Sequence, residues 1–236
     1  RRLIGSDRFA GGAVDRGAGH IHPLNFALGL ARAAAVAGVQ IHETSEVHTL
    51  MPGAKVTLRT AAGQVTADHV ILAGNGYLGG LERSYAARVM PINNFILVTE
   101  PLGDNRLIFG GGESYGYRFP DIVATVRKPM LKIYPQLADV KISHAWGGTL
   151  AITMNRMPAL MRLQSNVLAG SACSGHGVAL STLTGKLMAE TITGDASGFD
   201  LLASVPQPRF PGGATLRWPL LVLAMTWYSM RDRLGV

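Results

Sequence analysis

The sequence predicts a mixed α/β fold, with strand–loop–helix units on either side of a middle antiparallel sheet that carries a covering helix. Three observations predict it. An alanine-rich helical pattern, PLNFALGLARAAAVAG, opens at Pro23 and leads into short β patterns. The middle of the chain holds three strand patterns, NFILVTEP, LIFGGG and KISHAWGG, with a helical stretch around 121 to 133 between the last two. Further on, NVLAG runs through the Gly-rich loop SACSGHG into a long helical pattern, VALSTLTGKLMAETITG. The periodicity switches between two and 3.6 at these points, as alternating strands and helices require.

Each element has a local reason. Gly11, Gly12, Gly17 and Gly19 predict turns between short strands at the start. Pro23 suits a first helical turn and Gly38 a stop. Leu24, Ala27, Leu28, Ala31 and Ala34 recur on one face, which predicts close packing against a sheet. Val39-Gln40-Ile41 reads as a short strand, and β signals resume at Glu46. KVTLRT alternates, AAG turns, and QVTADHVILAG returns, with a buried-strand pattern over His69–Ala73 that stops at Gly74. Residues 80 to 90 read as a short helix ended by Pro91. The Pro-rich VPQPRFPGG leads to a last apolar helix.

Composition bounds the function. With 236 residues, 47% hydrophobic and 16% charged, the chain has enough apolar surface for a genuine core and is not a disordered protein. Lys and Arg total 22 against 15 Asp and Glu, a net charge of +7, which favours anionic partners. The basic residues are scattered and not interleaved with aromatics, so an anionic small molecule or cofactor is expected rather than nucleic acid. One cysteine, Cys173, forbids an intrachain disulfide and a Cys-based zinc site, and predicts a reducing, cytoplasmic setting. No metal site is expected. The N-terminus lacks the apolar run of a secretory signal. The stretch from Trp218 to Tyr228 falls short of the roughly 20 residues a membrane span needs, and is expected to be a buried helix.

Three motifs compete for chemistry. Gly74-Asn75-Gly76-Tyr77-Leu78-Gly79 satisfies G-x-G-x-x-G after a strand, with Glu100 about twenty residues on. Taken literally, it is a nicotinamide or flavin dinucleotide fingerprint, and with nicotinamide it makes an NAD(P)-dependent dehydrogenase; taken blandly, it is a sharp turn. Ser171-Ala172-Cys173-Ser174-Gly175 resembles a nucleophile elbow with Cys173 at its centre. The histidines stand at 20, 22, 42, 48, 69, 144 and 176, none beyond the adjacent His176, so a buried structural thiol is favoured. Ser174-Gly175-His176-Gly177 sits directly before a long helix, whose free N–H groups and positive dipole end suit an electron-rich ligand edge. A plain Gly-rich loop is the alternative.

Taken in order, G-A-G-H-I-H-P-L-N, G-V-Q-I-H-E-T-S-E-V, H-V-I-L-A-G-N-G-Y-L, G-S-A-C-S-G-H-G-V and F-P-G-G resemble the FAD-dependent amine and amino-acid oxidases of the D-amino-acid oxidase superfamily over nearly the whole chain. E-P-L-G-D and L-I-F-G-G-G agree with one amine-oxidising branch of it. The resemblance implies a partial, Rossmann-like FAD-binding domain at 20–84 and 151–195 that lacks its N-terminal βαβ unit. It implies an antiparallel substrate domain at 1–19 and 85–150, and a C-terminal arm and helix at 196–236. The family opens with that βαβ unit, so the chain is expected to be the C-terminal part of such an enzyme. The family also carries a longer, aromatic-rich stretch where only Asn105 and Arg106 separate E-P-L-G-D from L-I-F-G-G-G here.

The resemblance also assigns roles. Val47 would place its backbone near the adenine, and Ala73, Gly74 and Asn75 would end a strand beside the ribose and phosphates. Ser174, Gly175, His176, Gly177 and Val178 would hold the pyrimidine edge of the flavin. Gly147 and Gly148 would approach the ring. His22, Trp146, Tyr115 and Tyr117 would line the substrate cavity, with His22 and His176 as the catalytic candidates that keep an amine neutral. The implied partners are a small amine or amino acid and dioxygen or another electron acceptor. Three bland rivals stand beside these: His22 as a helix cap, Trp146 as core, and Tyr115 and Tyr117 as strand surface. A non-catalytic remnant that lacks its nucleotide-binding unit is the remaining alternative.

Overall fold

The computed structural model describes residues 5–114 and 118–234. Helix α1 spans Pro23–Val36, with Pro23 in its first turn and His22 as its cap, and the chain turns away at Gly38 with φ +90°. The boundaries match the sequence, but the packing does not: no α1 residue is buried, and Leu24 and Val36 are 60% and 85% exposed. Residues 5–22 contain no strand, and neither does Val39–Ile41. A strand persists only where a neighbour accepts its backbone hydrogen bonds, and none pairs with this segment among the described residues.

Strands β1 (Val47–Met51), β2 (Val56–Thr60) and β3 (Gln64–Ala67) form an antiparallel meander. Its second turn closes where Thr60 N donates to Gly63 O at 2.9 Å. Strand β4 (Val70–Leu72) leaves that meander at Asp68–His69 and joins a different sheet. A 3-10 turn, Asn75–Tyr77, and a four-residue helix, α2 (Arg83–Ala86), follow. The expected helix over 80 to 90 shrinks to that single turn. Pro91 does not end it; it is the second residue of β5 (Met90–Thr99).

Strand β5 pairs with β6 (Ile108–Ser114) on one side and β7 (Ile142–Ile152) on the other, both antiparallel, giving the order β6-β5-β7. The β5–β6 connection is tight, with Leu102 N donating to Asn105 O at 2.7 Å. Helix α3 (Ile122–Ile133) is capped by Asp121, whose Oδ1 accepts from Ala124 N at 3.0 Å. It lays Val126 and Met130 on Phe95 and Leu97, all four fully buried. Each such side chain contributes roughly 1.5–3 kcal/mol by leaving water.

Beyond β7 comes β8 (Ala159–Gln164), which the sequence patterns do not announce, and then β9 (Val167–Ser171). The order β4-β9-β8 puts β4 parallel and β8 antiparallel to β9. Every residue of β9 is buried. Helix α4 (Gly177–Thr193) returns across this sheet and ends at Gly194 with φ +113°. Helix α5 (Ser197–Ala203) is pinned to β8 by Arg162, which bonds Asp200 at 2.8 Å and lies over the Phe199 ring. The arm at 205–212 is tied down where Phe210 N donates to Ala87 O at 2.8 Å and Arg88 Nε to Gln207 O at 3.0 Å.

Helix α6 (Gly213–Leu234) begins earlier than its apolar stretch suggests. It is not buried as expected: Leu223, Trp227 and Tyr228 are all more than half exposed. No helix of the described residues is long and apolar enough to cross a membrane.

Candidate functional site

The two parallel strands deliver two loops to the same end of their sheet. Strand β9 ends in Ala172-Cys173-Ser174-Gly175-His176, where Ala172, Ser174 and Gly175 all have positive φ. For the two non-glycine residues this is an unfavourable conformation, so neighbours must hold it. They do so from three sides. Ala172 N donates to Asn75 Oδ1 at 3.2 Å, Ser174 N to Ala151 O at 3.1 Å, and His176 N to Cys173 O at 2.9 Å. Beneath the loop, the buried Tyr85 hydroxyl bonds Ser171 Oγ at 2.6 Å and Ala159 O at 3.2 Å.

Helix α4 therefore starts from a fixed platform. Its cap residue, His176, makes no capping hydrogen bond with its side chain. The first-turn amides of Gly177, Val178 and Ala179 have no intrahelical acceptor, as at any helix start. Gly175 and His176 are exposed, and Val178 is 54% exposed. A Cβ on Gly175 would meet nothing within 4 Å, and one on Gly177 only the Cys173 Cβ at 4.0 Å. Gly175 needs its φ of +98°, but Gly177 has neither a left-handed φ nor a close neighbour to require a glycine. The space over these two residues is open, and free amides at a helix start suit negative charge.

The Gly74–Gly79 loop does not do what a literal dinucleotide fingerprint requires. Its residues 75–77 form a 3-10 turn, and the next helix has four residues, so no long helix points its N-terminus at a pyrophosphate here. The glycines serve packing instead. A Cβ on Gly76 would lie 2.8 Å from Thr149 Cγ2, and one on Gly74 3.1 Å from Leu78. Tyr77 Oη accepts from Thr149 N at 3.3 Å. Asn75 has φ +47° and reaches the other loop through Ala172. Ala73 and Gly74 are exposed beside it.

On β7, pairing fixes which side chains share a face. Trp146 stands opposite Ile96 and Gly148 opposite Asn94; Trp146 is 46% exposed, and a Cβ on Gly148 would meet nothing. Gly147 points the other way, where a Cβ would lie 2.7 Å from the Phe95 ring. Its glycine is a packing requirement on that face, whatever its backbone approaches. Val47 is the half-buried first residue of β1, paired with Thr60.

His22 caps α1, its Nδ1 accepting from Asn25 N at 3.3 Å, which leaves the proton on Nε2. No hydrogen bond joins α1 to the 172–177 loop among the described residues. Tyr115 and Tyr117 lie outside the described residues. Cys173 is buried, and burial pushes its thiol pKa up, away from the thiolate a nucleophile needs. Sequence reasoning missed Tyr85 and Thr149, the residues that seat the two loops. Neither stands in a motif: Tyr85 reaches the loop from α2 and Thr149 from β7.

A parallel β pair whose loops meet at a helix N-terminus, beside an antiparallel sheet, makes a mixed α/β architecture with its candidate site at the strand ends. The chain belongs to the FAD dependent oxidoreductase family, whose model matches residues 1–191. It is 41% identical to gamma-glutamylputrescine oxidoreductase of Escherichia coli (strain K12), over 100% of this chain and 62% of that protein. It is also 41% identical to the probable oxidoreductase OrdL of Rhizobium meliloti (strain 1021), over 98% of this chain and 60% of that one. The chain thus spans about three fifths of the length of these curated relatives. The alignment with the E. coli protein runs over 266 residues, longer than the 236 here, so the relative holds residues within the matched span that have no counterpart.

The fold likewise matches solved structures. Glycine oxidase from Geobacillus kaustophilus aligns with a TM-score of 0.67 at 21% identity, over 78% of this chain and 58% of that one. L-proline dehydrogenase from P. horikoshii aligns with a TM-score of 0.60 at 20% identity, over 72% and 55%.

Proposed function

We propose that this chain forms the larger part of an FAD-dependent oxidoreductase that oxidises the C–N bond of an amine or amino acid. The observation that carries the reading is Gly177: a glycine with no internal need to be one, in the first turn of a helix that a braced loop presents to open space. When bound, FAD supplies the hydride acceptor, flavin N5, for the carbon beside a neutral amine, and water then hydrolyses the resulting imine.

The chain's own residues bind and orient. The amides of Gly177 and Val178, with Ser174, Gly175 and His176, would hold the pyrimidine edge, where the helix dipole favours negative charge. Ala73, Gly74 and Asn75 would run beside the ribose and phosphates, with Val47 near the adenine. Gly148 and Trp146, on the open face of β7, would approach the ring and the substrate; Tyr115 and Tyr117 are proposed for the same cavity. His22, with its proton on Nε2, and His176 would hold the substrate nitrogen in its neutral form. The substrate domain is proposed at 1–19 and 85–150 and the FAD-binding domain at 20–84 and 151–195.

Identity with the E. coli relative supports a gamma-glutamylputrescine-like amine as substrate; dioxygen or another oxidant as electron acceptor and a cytoplasmic setting are proposed beside it. The test is a visible absorption spectrum of the purified protein, followed by turnover on a panel of amines and amino acids. A yellow protein that consumes an amine bears the proposal out. A colourless protein that gains NAD(P)H-dependent activity overturns it.

A further inference from the structure

We propose that α6 is a membrane-surface helix, which lies in the interface of an anionic lipid bilayer and holds the molecule there reversibly. The helix leaves the body of the protein after Leu221. Arg217, Trp218 and Leu221 are half-buried at its root, where Arg83 of α2 donates to Thr215 Oγ1 at 3.4 Å. From 222 to 228 every residue is exposed. Residues 218–230 contain no charged side chain, which as helix is a run about 20 Å long. Leu216, Leu220, Leu223, Trp227 and Met230 recur every three or four residues on one side, and Leu223 and Trp227 are 65% and 58% exposed. Val222, Met225 and Tyr228 are exposed on the other sides.

Shape, length and charge choose the occupant. A partner helix would cover the Leu216–Met230 stripe and leave Val222, Met225 and Tyr228 in water. A helix sunk about 5–10 Å into a lipid surface is covered on its flanks as well. The apolar run is too short for the roughly 30 Å hydrocarbon core of a bilayer, so it lies along the surface rather than across it, and no helix of the described residues is long and apolar enough to cross. Trp227 and Tyr228 are the ring types that favour the headgroup level.

The charge is of one sign. No Asp or Glu occurs between Asp200 and Asp232. Arg209 and Arg231 are exposed within that stretch, and Arg83 is exposed at the root of the helix. Glu82, next to Arg83, turns its carboxylate to the cap of α2. Arginine stems lie along apolar lipid while their heads reach phosphate oxygens, and cytoplasmic leaflets carry anionic headgroups. A second copy of this chain would bring up the same arginines with no acid in the stretch to pair them. None of these residues belongs to the candidate flavin site, so the proposal stands whether or not the flavin reading does.

The purified protein is sedimented with vesicles of phosphatidylcholine alone and of phosphatidylcholine and phosphatidylglycerol in equal parts. It is expected to pellet with the mixed vesicles, to be released by high salt, and to bind the neutral ones about tenfold or more weakly. The double variant Leu223→Glu, Trp227→Glu changes only exposed positions, so it should keep its melting temperature and lose the vesicles. Arg209→Gln should weaken binding to the mixed vesicles about fivefold. No pelleting with the mixed vesicles, equal binding to neutral ones, or undiminished binding by the folded double variant would overturn the assignment. A dimer in lipid-free solution that the double variant dissolves would also overturn it, and would give α6 to a second copy instead.

Discussion

Gly177 and Gly175 are neighbours in the sequence and differ in what their substitution tests. Gly175 has φ +98°, so any side chain there strains the loop itself. Gly177 has room and an ordinary φ, so a valine costs the fold nothing there and gains about a few tenths of a kcal/mol in helix propensity. Gly177→Val is therefore expected to keep its melting temperature and lose its flavin, read as visible absorbance per protein. A Gly177→Val protein that retained full flavin would remove the main support for the cofactor site. Cys173 behaves differently. Its thiol is buried and held neutral, so Cys173→Ala should leave turnover close to wild type, and complete loss would revive a thiol nucleophile.

Tyr85 offers a test that reads the platform under the loop through pH. Burial raises its hydroxyl from 10.0 to about 12, with the Ser171 bond pulling the other way. The folded state thus favours the neutral phenol. That contribution is full below pH 10 and is lost as pH rises from 10 towards 12. In chemical unfolding, wild type should lose up to about 2–3 kcal/mol across that window beyond what Tyr85→Phe loses. Parallel curves would mean the phenol ionises alike in the folded and unfolded chain.

At the scale of elements, α4 packs on β9 through Met188 against Leu168 and comes closest at one small residue. A Cβ on Gly170 would lie 2.7 Å from Thr184 Cγ2 and 2.8 Å from Met188 Sδ. Gly170→Val must push the helix off the strand, at a cost of about 1–3 kcal/mol. Because the α4 N-terminus moves with it, flavin affinity should fall in the same variant. A destabilised protein with undiminished flavin affinity would separate the helix from the cofactor.

The same elements show what a sequence can carry. Helix α4, its Gly194 stop and the three strands β5, β6 and β7 were legible because their periodicity and punctuation are local. Val39–Ile41 was not, since its β pattern needs a partner strand. Strand β8 has no strong alternation, and its place is set by β9. The site was half legible. S-G-H-G before a helix is visible in the chain, whereas the opposite facing of Gly147 and Gly148 depends on β5–β7 register.

Across the whole molecule, the two sheets that frame the site are joined directly where Ser174 N donates to Ala151 O of β7 at 3.1 Å, and again through one intervening segment. Asn75 reaches the β9 loop through Ala172 N, while Gly76 and Tyr77 seat the same turn on Thr149 of β7. The position of the α4 N-terminus relative to the open face of β7 therefore depends on the Asn75 side chain together with the Ser174–Ala151 bond. Asn75→Gly isolates that link, because glycine tolerates the φ of +47° and removes only the acceptor. It leaves the N–H of the fully buried Ala172 unsatisfied, at a cost of about 1–3 kcal/mol. Amide hydrogen exchange should then speed up at Ala172 and Ser174, while Phe95 and Leu97, held by α3, keep their protection. Amine turnover should fall together with the faster exchange, since the two faces of the site no longer hold a fixed spacing. If Asn75→Gly speeds exchange at the loop and leaves turnover unchanged, the spacing of the two sheets is not what orients the reaction.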